Sequence, residues 1–202
     1  MASTRWSATR RFDSEKLYSG GIRLRYQSFT TPIADLKDGI LLEAGFDVVA
    51  PNGPKDISSW MYDHAADKVE IIDNQAKGVA CYDPGYTFVE KLQTISTKYR
   101  QQQQDKQFPL NFMRHYYDVY SLLDRPEVQG FIDTEEYAAH KERRFRSLDN
   151  KNIAKNESFI LSDPETRKMY SATYAKTSDL YYGSKPTFDE ILGRIKEWID
   201  RL

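Results

Sequence analysis

Two short blocks of this sequence carry charged side chains suited to phosphate chemistry. Residues 88–92 read Phe-Val-Glu-Lys-Leu and contain Lys91, and residues 114–120 contain Arg114, His115 and Asp118. A lysine acts on a phosphate as a point charge, and a carboxylate beside a cation stays ionised. Together the blocks predict a site that grips a triphosphate and organises phosphoryl transfer.

Helical spacing of apolar residues predicts that both blocks lie on amphipathic helices. The first stripe is Phe88, Leu92, Ile95 and Tyr99, and the second is Phe112, Tyr116, Val119, Tyr120 and Leu123. Lys91 and Lys98 then share one flank, seven residues apart, and Arg114 and Asp118 form an i, i+4 pair opposite the second stripe. The spacing therefore gives each charged residue a defined helix face.

Each candidate also has a structural interpretation, which the residues alone leave open. Lys91 can be a solvated flank residue, and Arg114 with Asp118 can be a surface ion pair or a structural clamp. Glu43 lies in the apolar run at residues 41–44. Three interpretations of its side chain stay open: it faces water, it has a partner in the core, or it lines a metal-binding cleft.

Composition narrows the class of protein. The net charge of −1 gives no global nucleic-acid or membrane signal, and no run approaches the ~20 apolar residues of a membrane span. The single Cys81 excludes an intramolecular disulfide framework and a cysteine-based zinc site, and its apolar surroundings predict a buried strand residue. Without the apolar segment of a secretory signal near Met1, a cytoplasmic protein is expected.

The pattern along the chain predicts an α+β fold, a small mixed or antiparallel sheet followed by a helical bundle. Alternation predicts strands over residues 22–28 and 39–46, joined as a hairpin, and shorter strands over 69–72 and 78–82. Residues 51–54 read as a chain breaker. The predicted parts are a basic lead-in arm over 1–17, a sheet region with the first motif helix over 18–107, and a helical region over 108–202.

Start signals mark the later helices. A charged helix is predicted over 135–146, Asp163 and Pro164 begin a helix that runs to about Tyr182, and Thr187 with Glu190 forms a capping box. His64 and His140 are predicted to be structural and not ligands. Five aromatic residues are predicted to be core residues, in preference to a base-stacking platform: Trp60, Trp198, Tyr170, Tyr174 and Tyr181.

These blocks resemble a known family. Leu-Leu-Glu-Ala-Gly at 41–45, Thr-Phe-Val-Glu-Lys-Leu at 87–92 and Arg-His-Tyr-Tyr-Asp-Val-Tyr at 114–120 are similar to motifs of the nucleotidyltransferase AbiEii/AbiGii toxin family. His140, Lys141 and Phe145 are similar to its C-terminal helical region. The resemblance runs from about Ile22 to Leu202.

The resemblance implies a polymerase-β-like nucleotidyltransferase fold followed by helices. Members are toxins of toxin–antitoxin or phage-defence pairs that transfer a nucleotide from a nucleoside triphosphate with Mg²⁺, in some cases to tRNA. By motif, Lys91 contacts the nucleotide phosphates, Asp118 is the aspartate of the last catalytic motif, and Arg114 positions it. Lys98 is a second nucleotide-binding candidate, and Glu43 is the candidate metal ligand.

One departure from the family pattern is prominent. The family opens with a glycine–serine turn and an Asp-x-Asp pair, whereas this sequence has no Asp-x-Asp, and Ser19, Gly20 and Gly21 lead directly into a strand. The sequence therefore predicts the C-terminal portion of such a transferase, inactive by itself. Such a portion should leave strand edges or apolar surface exposed. These surfaces would be covered in a homo-oligomer, by a swapped N-terminal arm or by a partner chain such as the antitoxin.

Two other classes of protein fit the same residues. One is a non-catalytic remnant that binds nucleotide, RNA or an antitoxin. The other is a helical dimerisation module whose polar pairs are structural.

Overall fold

The computed structural model of the protein describes residues 5–8, 19–25, 39–109, 111–177, 180–181 and 185–202. Over this part the α+β prediction is confirmed, with small antiparallel sheets preceding a mainly helical region. The strands are β1 Arg5–Ala8, β2 Ser19–Arg25, β3 Ile40–Gly45, β4 Asn52–Ile57 and β5 Ala76–Tyr82. The helices are α1 Trp60–Ala65, α2 Pro84–Asp105, α3 Arg114–Leu123, α4 Pro126–Phe131, α5 Glu135–Arg144, α6 Glu157–Ile160, α7 Pro164–Ala175 and α8 Phe188–Trp198, with a 3₁₀ turn at Ile153–Lys155.

The chain divides into two compact units, and the first is Met1–Val49. Its strands form an antiparallel sheet in the order β1-β2-β3, with Ile22 opposite Leu42. The antiparallel pairing predicted for the strands at 22–28 and 39–46 is confirmed by β2 and β3, and residues 26–38 between them lie outside the described residues. Residues 5–8 are a strand paired with β2 and not the irregular arm predicted there.

The second unit, Ala50–Leu202, begins with the antiparallel pair β4–β5. The predicted breaker at 51–54 is wrong, because β4 runs through Pro54. Among the described strands β4 pairs only with β5, and an edge strand tolerates a residue without an amide hydrogen. The predicted strand at 69–72 is also wrong; this segment is irregular, and Ile72 is 88% exposed.

Cys81 lies in β5 as predicted, but it is only partly buried. The reason is that β4–β5 is a two-stranded sheet, which covers its side chains incompletely. Trp60 is not a core residue: α1 has six residues and buries none of them, which leaves Trp60 62% exposed.

Helix α2 forms the centre of the helical region. Asp83 caps its N-terminus by accepting a hydrogen bond from the Gly85 amide, and Pro84 occupies the first turn. The predicted stripe is confirmed where it faces the core, and α2 packs against α3, α4, α5 and α6. Fully buried side chains of this stripe are Phe88, Leu92 and Ile95.

The glutamine run at 101–104 forms the last turns of α2, and the helix ends at Lys106 in a left-handed conformation. Gln102 is buried and accepts a hydrogen bond from the hydroxyl of Tyr170 at 3.0 Å. Tyr170, Tyr174 and Tyr181 are buried, as predicted.

The predicted helix starts are confirmed later in the chain. Asp163 caps α7, and Thr187 and Glu190 form the capping box of α8. Helix α7 ends at Ala175, well before the predicted end near 182, a residue outside the described part. None of the described helices is long and apolar enough to cross a membrane.

Candidate functional site

Lys91 and Asp118 meet between helices α2 and α3. Lys91 donates a hydrogen bond from Nζ to Oδ2 of Asp118 at 2.7 Å. The adjacent residues Leu92 and Val119 are fully buried and fix the two helix faces. The side chains keep 30% and 36% of their surface exposed, so solvent and a ligand can reach the pair.

His115 lies beside the same carboxylate. Its Nδ1 is 3.6 Å from Oδ2 of Asp118, which is an electrostatic contact beyond hydrogen-bond distance. This nitrogen is buried and has no hydrogen-bond partner. Burial acts to raise the pKa of Asp118, but the attraction of His115 and Lys91 outweighs it and holds that pKa below its usual value. Asp118 is therefore a carboxylate at neutral pH.

Arg114 does not hold Asp118 as the i, i+4 spacing predicted. The cation contacts of Asp118 come from Lys91 and His115, whereas the side chain of Arg114 is exposed. The physical reason is that the packing of α2 on α3 brings a lysine across to the carboxylate. A pattern within α3 alone does not contain that neighbour.

The other two predicted residues lie elsewhere. Lys98 is on α2 two turns beyond Lys91, about 10 Å along the helix axis. Burial lowers its pKa. Glu43 is exposed on β3 in the first unit, where it borders an open cavity of about 540 Å³ on the β2–β3 pair.

A second charged cluster, which the sequence interpretation missed, surrounds Glu90. Its Oε1 accepts a hydrogen bond from the hydroxyl of Tyr82 at 3.0 Å and lies 3.4 Å from Nε of Arg144. His140 Nε2 is 3.6 Å from the same oxygen. Glu90 and Lys91 are consecutive, so α2 directs one charge toward α5 and the next toward α3. The only hint of this cluster in the sequence was the charged character of residues 135–146, which supply His140 and Arg144.

His140 is buried and structural, in agreement with its predicted role. Arg143 donates a hydrogen bond to Nδ1 at 2.8 Å, and the ring of Tyr86 packs on the imidazole with centroids 4.6 Å apart. Burial, followed by the charge of Arg143, lowers the pKa of His140. The imidazole is therefore neutral at physiological pH.

The divalent cation that the family resemblance implies is Mg²⁺. Magnesium prefers several oxygen ligands in a near-octahedral arrangement. Within the described residues, no group of three His, Cys, Asp or Glu side chains is placed to hold a metal ion. Asp118 already has Lys91 as its partner. The described side chains therefore do not fit a magnesium site.

Comparison with protein families matches residues 5–194 of this chain to the family described as "Nucleotidyl transferase AbiEii toxin, Type IV TA system". No curated protein and no solved structure matches the chain. The matched range covers most of the 202 residues, including both units and the Lys91–Asp118 pair. The chain belongs to the AbiEii nucleotidyl transferase toxin family of type IV toxin–antitoxin systems.

Proposed function

We propose that this protein is the phosphate-binding portion of a nucleotidyltransferase toxin, with Lys91 as the residue that grips a nucleoside triphosphate. The full reaction would transfer a nucleotide to an RNA acceptor, such as tRNA, or to a protein. The family pairs such toxins with an antitoxin. We place the activity in the cytoplasm, where nucleoside triphosphates are plentiful, and in phage defence.

The observation that carries the proposal is the half-exposed pair of Lys91 and Asp118, whose atoms lie 2.7 Å apart. A lysine whose side chain is 30% exposed can turn from a carboxylate to a phosphate without unfolding its helix. Asp118 holds the ammonium group in place before the phosphate arrives, and the exposed Arg114 adds positive charge nearby. Lys98 is the second lysine proposed to contact the nucleotide.

Transfer requires more than this grip. Phosphoryl transfer depends on charge neutralisation by metal ions and cations, and the described residues do not form a magnesium site. We propose that acidic residues of another polypeptide supply the metal ligands at Lys91, and Glu43 of the first unit stays a metal-ligand candidate by family resemblance alone. The chain alone would then bind nucleotide without transferring it.

Calorimetric titration of the protein with each of the four nucleoside triphosphates, with and without Mg²⁺, tests this proposal. We expect metal-independent binding that is weakened in Lys91→Ala and unchanged in Lys168→Ala, an exposed lysine on α7. Binding only with Mg²⁺ would show that this chain forms a complete site. No binding of any triphosphate would overturn the proposal.

A second candidate function is an interaction module, which covers both the antitoxin-binding and the dimerisation alternatives. The second unit exposes an unusual group of large apolar side chains: Ile57, Trp60, Met61, Val69 and Ile72. Exposed apolar surface of this kind is typical of interaction sites. Light scattering of the wild type and of a Trp60→Ser, Met61→Ser variant tests it, with a concentration-dependent dimer lost in the variant as the expected result.

A further inference from the structure

The arrangement of His115, Asp118 and Lys91 offers more than a phosphate grip. Lys91 Nζ and His115 Nδ1 both approach a single oxygen, Oδ2 of Asp118, at 2.7 Å and 3.6 Å. The lysine makes a hydrogen bond, whereas the imidazole nitrogen is buried and makes none. Oδ2 of Asp118 thus faces the ammonium group of Lys91 and the imidazole of His115, and it is hydrogen-bonded only to the ammonium group.

Protonation of His115 changes which group the carboxylate prefers. A protonated imidazole carries a hydrogen and a positive charge at Nδ1, and closing the gap from 3.6 Å to the usual ~2.9 Å needs a shift of about 0.7 Å. A hydrogen bond between two charged groups is stronger than one between neutral groups. The protonated ring therefore competes with Lys91 for Oδ2.

We propose that His115 is a positioning residue that controls whether Lys91 is available to phosphate, because the protonated ring takes over Asp118 and releases the lysine. This inference rests on the proposed function of Lys91. Release matters because the Asp118 carboxylate occupies one of the three ammonium donors and its negative charge opposes an approaching anion. Protonation of His115 at lower pH therefore increases phosphate binding at Lys91.

The charged groups around His115 are few within the described residues. Helix α2 contributes Lys91, and α3 itself contributes Asp118 and the exposed Arg114. Helices α4 and α8 also pack on α3: α4 carries the exposed Glu127, and Arg194 of α8 is bonded to Asp124, which follows the last residue of α3. His115 thus acts mainly on the Lys91–Asp118 pair.

The test is the affinity of inorganic triphosphate, measured by calorimetry without metal at about pH 8 and at about pH 6. For the wild type we expect about fivefold tighter binding at the lower pH. His115→Gln should reduce this change to less than about twofold, whereas His115→Lys, with a fixed charge, should bind tightly at both pH values. Protonation of the ligand is common to all variants and cancels in the comparison.

His64→Gln is the matched control, since the protein has three histidines and His64 is exposed on α1. It should keep the full pH dependence. If His115→Gln does not fold by circular dichroism, Asp118→Asn provides a second route. That variant releases Lys91 directly, so it should bind triphosphate tightly at both pH values.

The possible results separate this inference from the proposed function. If Lys91→Ala leaves triphosphate affinity unchanged at both pH values, the proposed role of Lys91 fails and this inference fails with it. If Lys91→Ala weakens binding but His115→Gln keeps the wild-type pH dependence, the phosphate-binding role of Lys91 is supported and the role of His115 is overturned.

Discussion

Arg100 of α2 donates a hydrogen bond from Nε to Oδ1 of Asp149 at 3.0 Å, and the side chain of Asp149 has no exposed surface. Thr97, one turn earlier on α2, donates to the other oxygen of the same carboxylate. Two donors from α2 therefore satisfy a buried charge located 49 positions from Arg100. This contact fixes the segment after α5 against the same helix that carries Lys91.

Asp149→Ala should destabilise the fold strongly. The substitution leaves the Thr97 hydroxyl and the Arg100 guanidinium without their partner in a buried location, at a cost of about 2–4 kcal/mol. Asp189→Ala is the matched control, because Asp189 pairs with Arg167 at an exposed position and its loss should cost less than about 1 kcal/mol. Urea unfolding measures the loss of stability in each variant. Equal losses would show that burial of Asp149 does not make its contacts more stabilising than the exposed pair.

Gly85→Ala should also destabilise the protein. A Cβ atom at this position on α2 would lie 2.6 Å from ring atoms and 2.9 Å from Cβ of Phe131, so α4 would have to move. We expect a loss of about 1–3 kcal/mol. At Gly130, in α4, a Cβ meets nothing within 4 Å. Gly130→Ala should therefore gain about 0.4–1 kcal/mol, and thermal unfolding should show shifts of opposite sign.

The Lys91–Asp118 pair should contribute little to stability. Its side chains are 30% and 36% exposed, and solvent screens such pairs to about 0.5 kcal/mol. A double-mutant cycle of Lys91→Ala and Asp118→Ala, followed by urea unfolding, measures this coupling. A coupling above about 2 kcal/mol would instead show that the Lys91–Asp118 pair stabilises the fold.

Asp118 should make stability depend on acidity below neutral pH. Its folded pKa is below the unfolded value of ~3.9, so its contribution is complete above that pH and is lost as the pH falls through the folded pKa. In Asp118→Asn, the unfolding midpoint should depend less on pH over this acidic range. A midpoint with the same acid dependence in wild type and variant would contradict the lowered pKa.

His140 should have an effect nearer to neutral pH. Burial keeps its folded pKa below the unfolded value, so the unfolded chain takes up a proton first as the pH falls below ~6.5. The free energy of unfolding therefore decreases from there down to the folded pKa. Unfolding midpoints between about pH 7.5 and about pH 5.5 should show this slope, reduced in His140→Gln and retained in His64→Gln.

The helical site was partly predictable because apolar spacing determines helix faces. The stripes containing Phe88 and Val119 correctly oriented α2 and α3, and this places Lys91 and Asp118 at the borders of buried faces. The choice of partner was not predictable. Sequence spacing describes neighbours on one helix, whereas the pair of Lys91 with Asp118 depends on how two helices pack.

The sheet regions were harder to predict for a related reason. Residues 51–57 and 69–72 bury few side chains, so hydrophobic alternation carried little information there. The short helices α4 and α6 were missed, although Pro126 in the first turn of α4 and the capping side chain of Asn156 before α6 are start signals. Helices of four to six residues show too little periodicity for a pattern to identify them.

The packing of α2 against four other helices has a consequence for hydrogen exchange. Its buried face cannot open without separating α3, α4, α5 and α6 together, so its central amides should exchange with solvent only when the whole helical unit unfolds. The amides of β4 and β5, in a two-stranded sheet with mostly exposed side chains, should exchange through local opening. Lys91 therefore sits on a slowly exchanging segment of its unit, and opening of β4–β5 should break the Tyr82–Glu90 contact while leaving the helix–helix core of α2 closed.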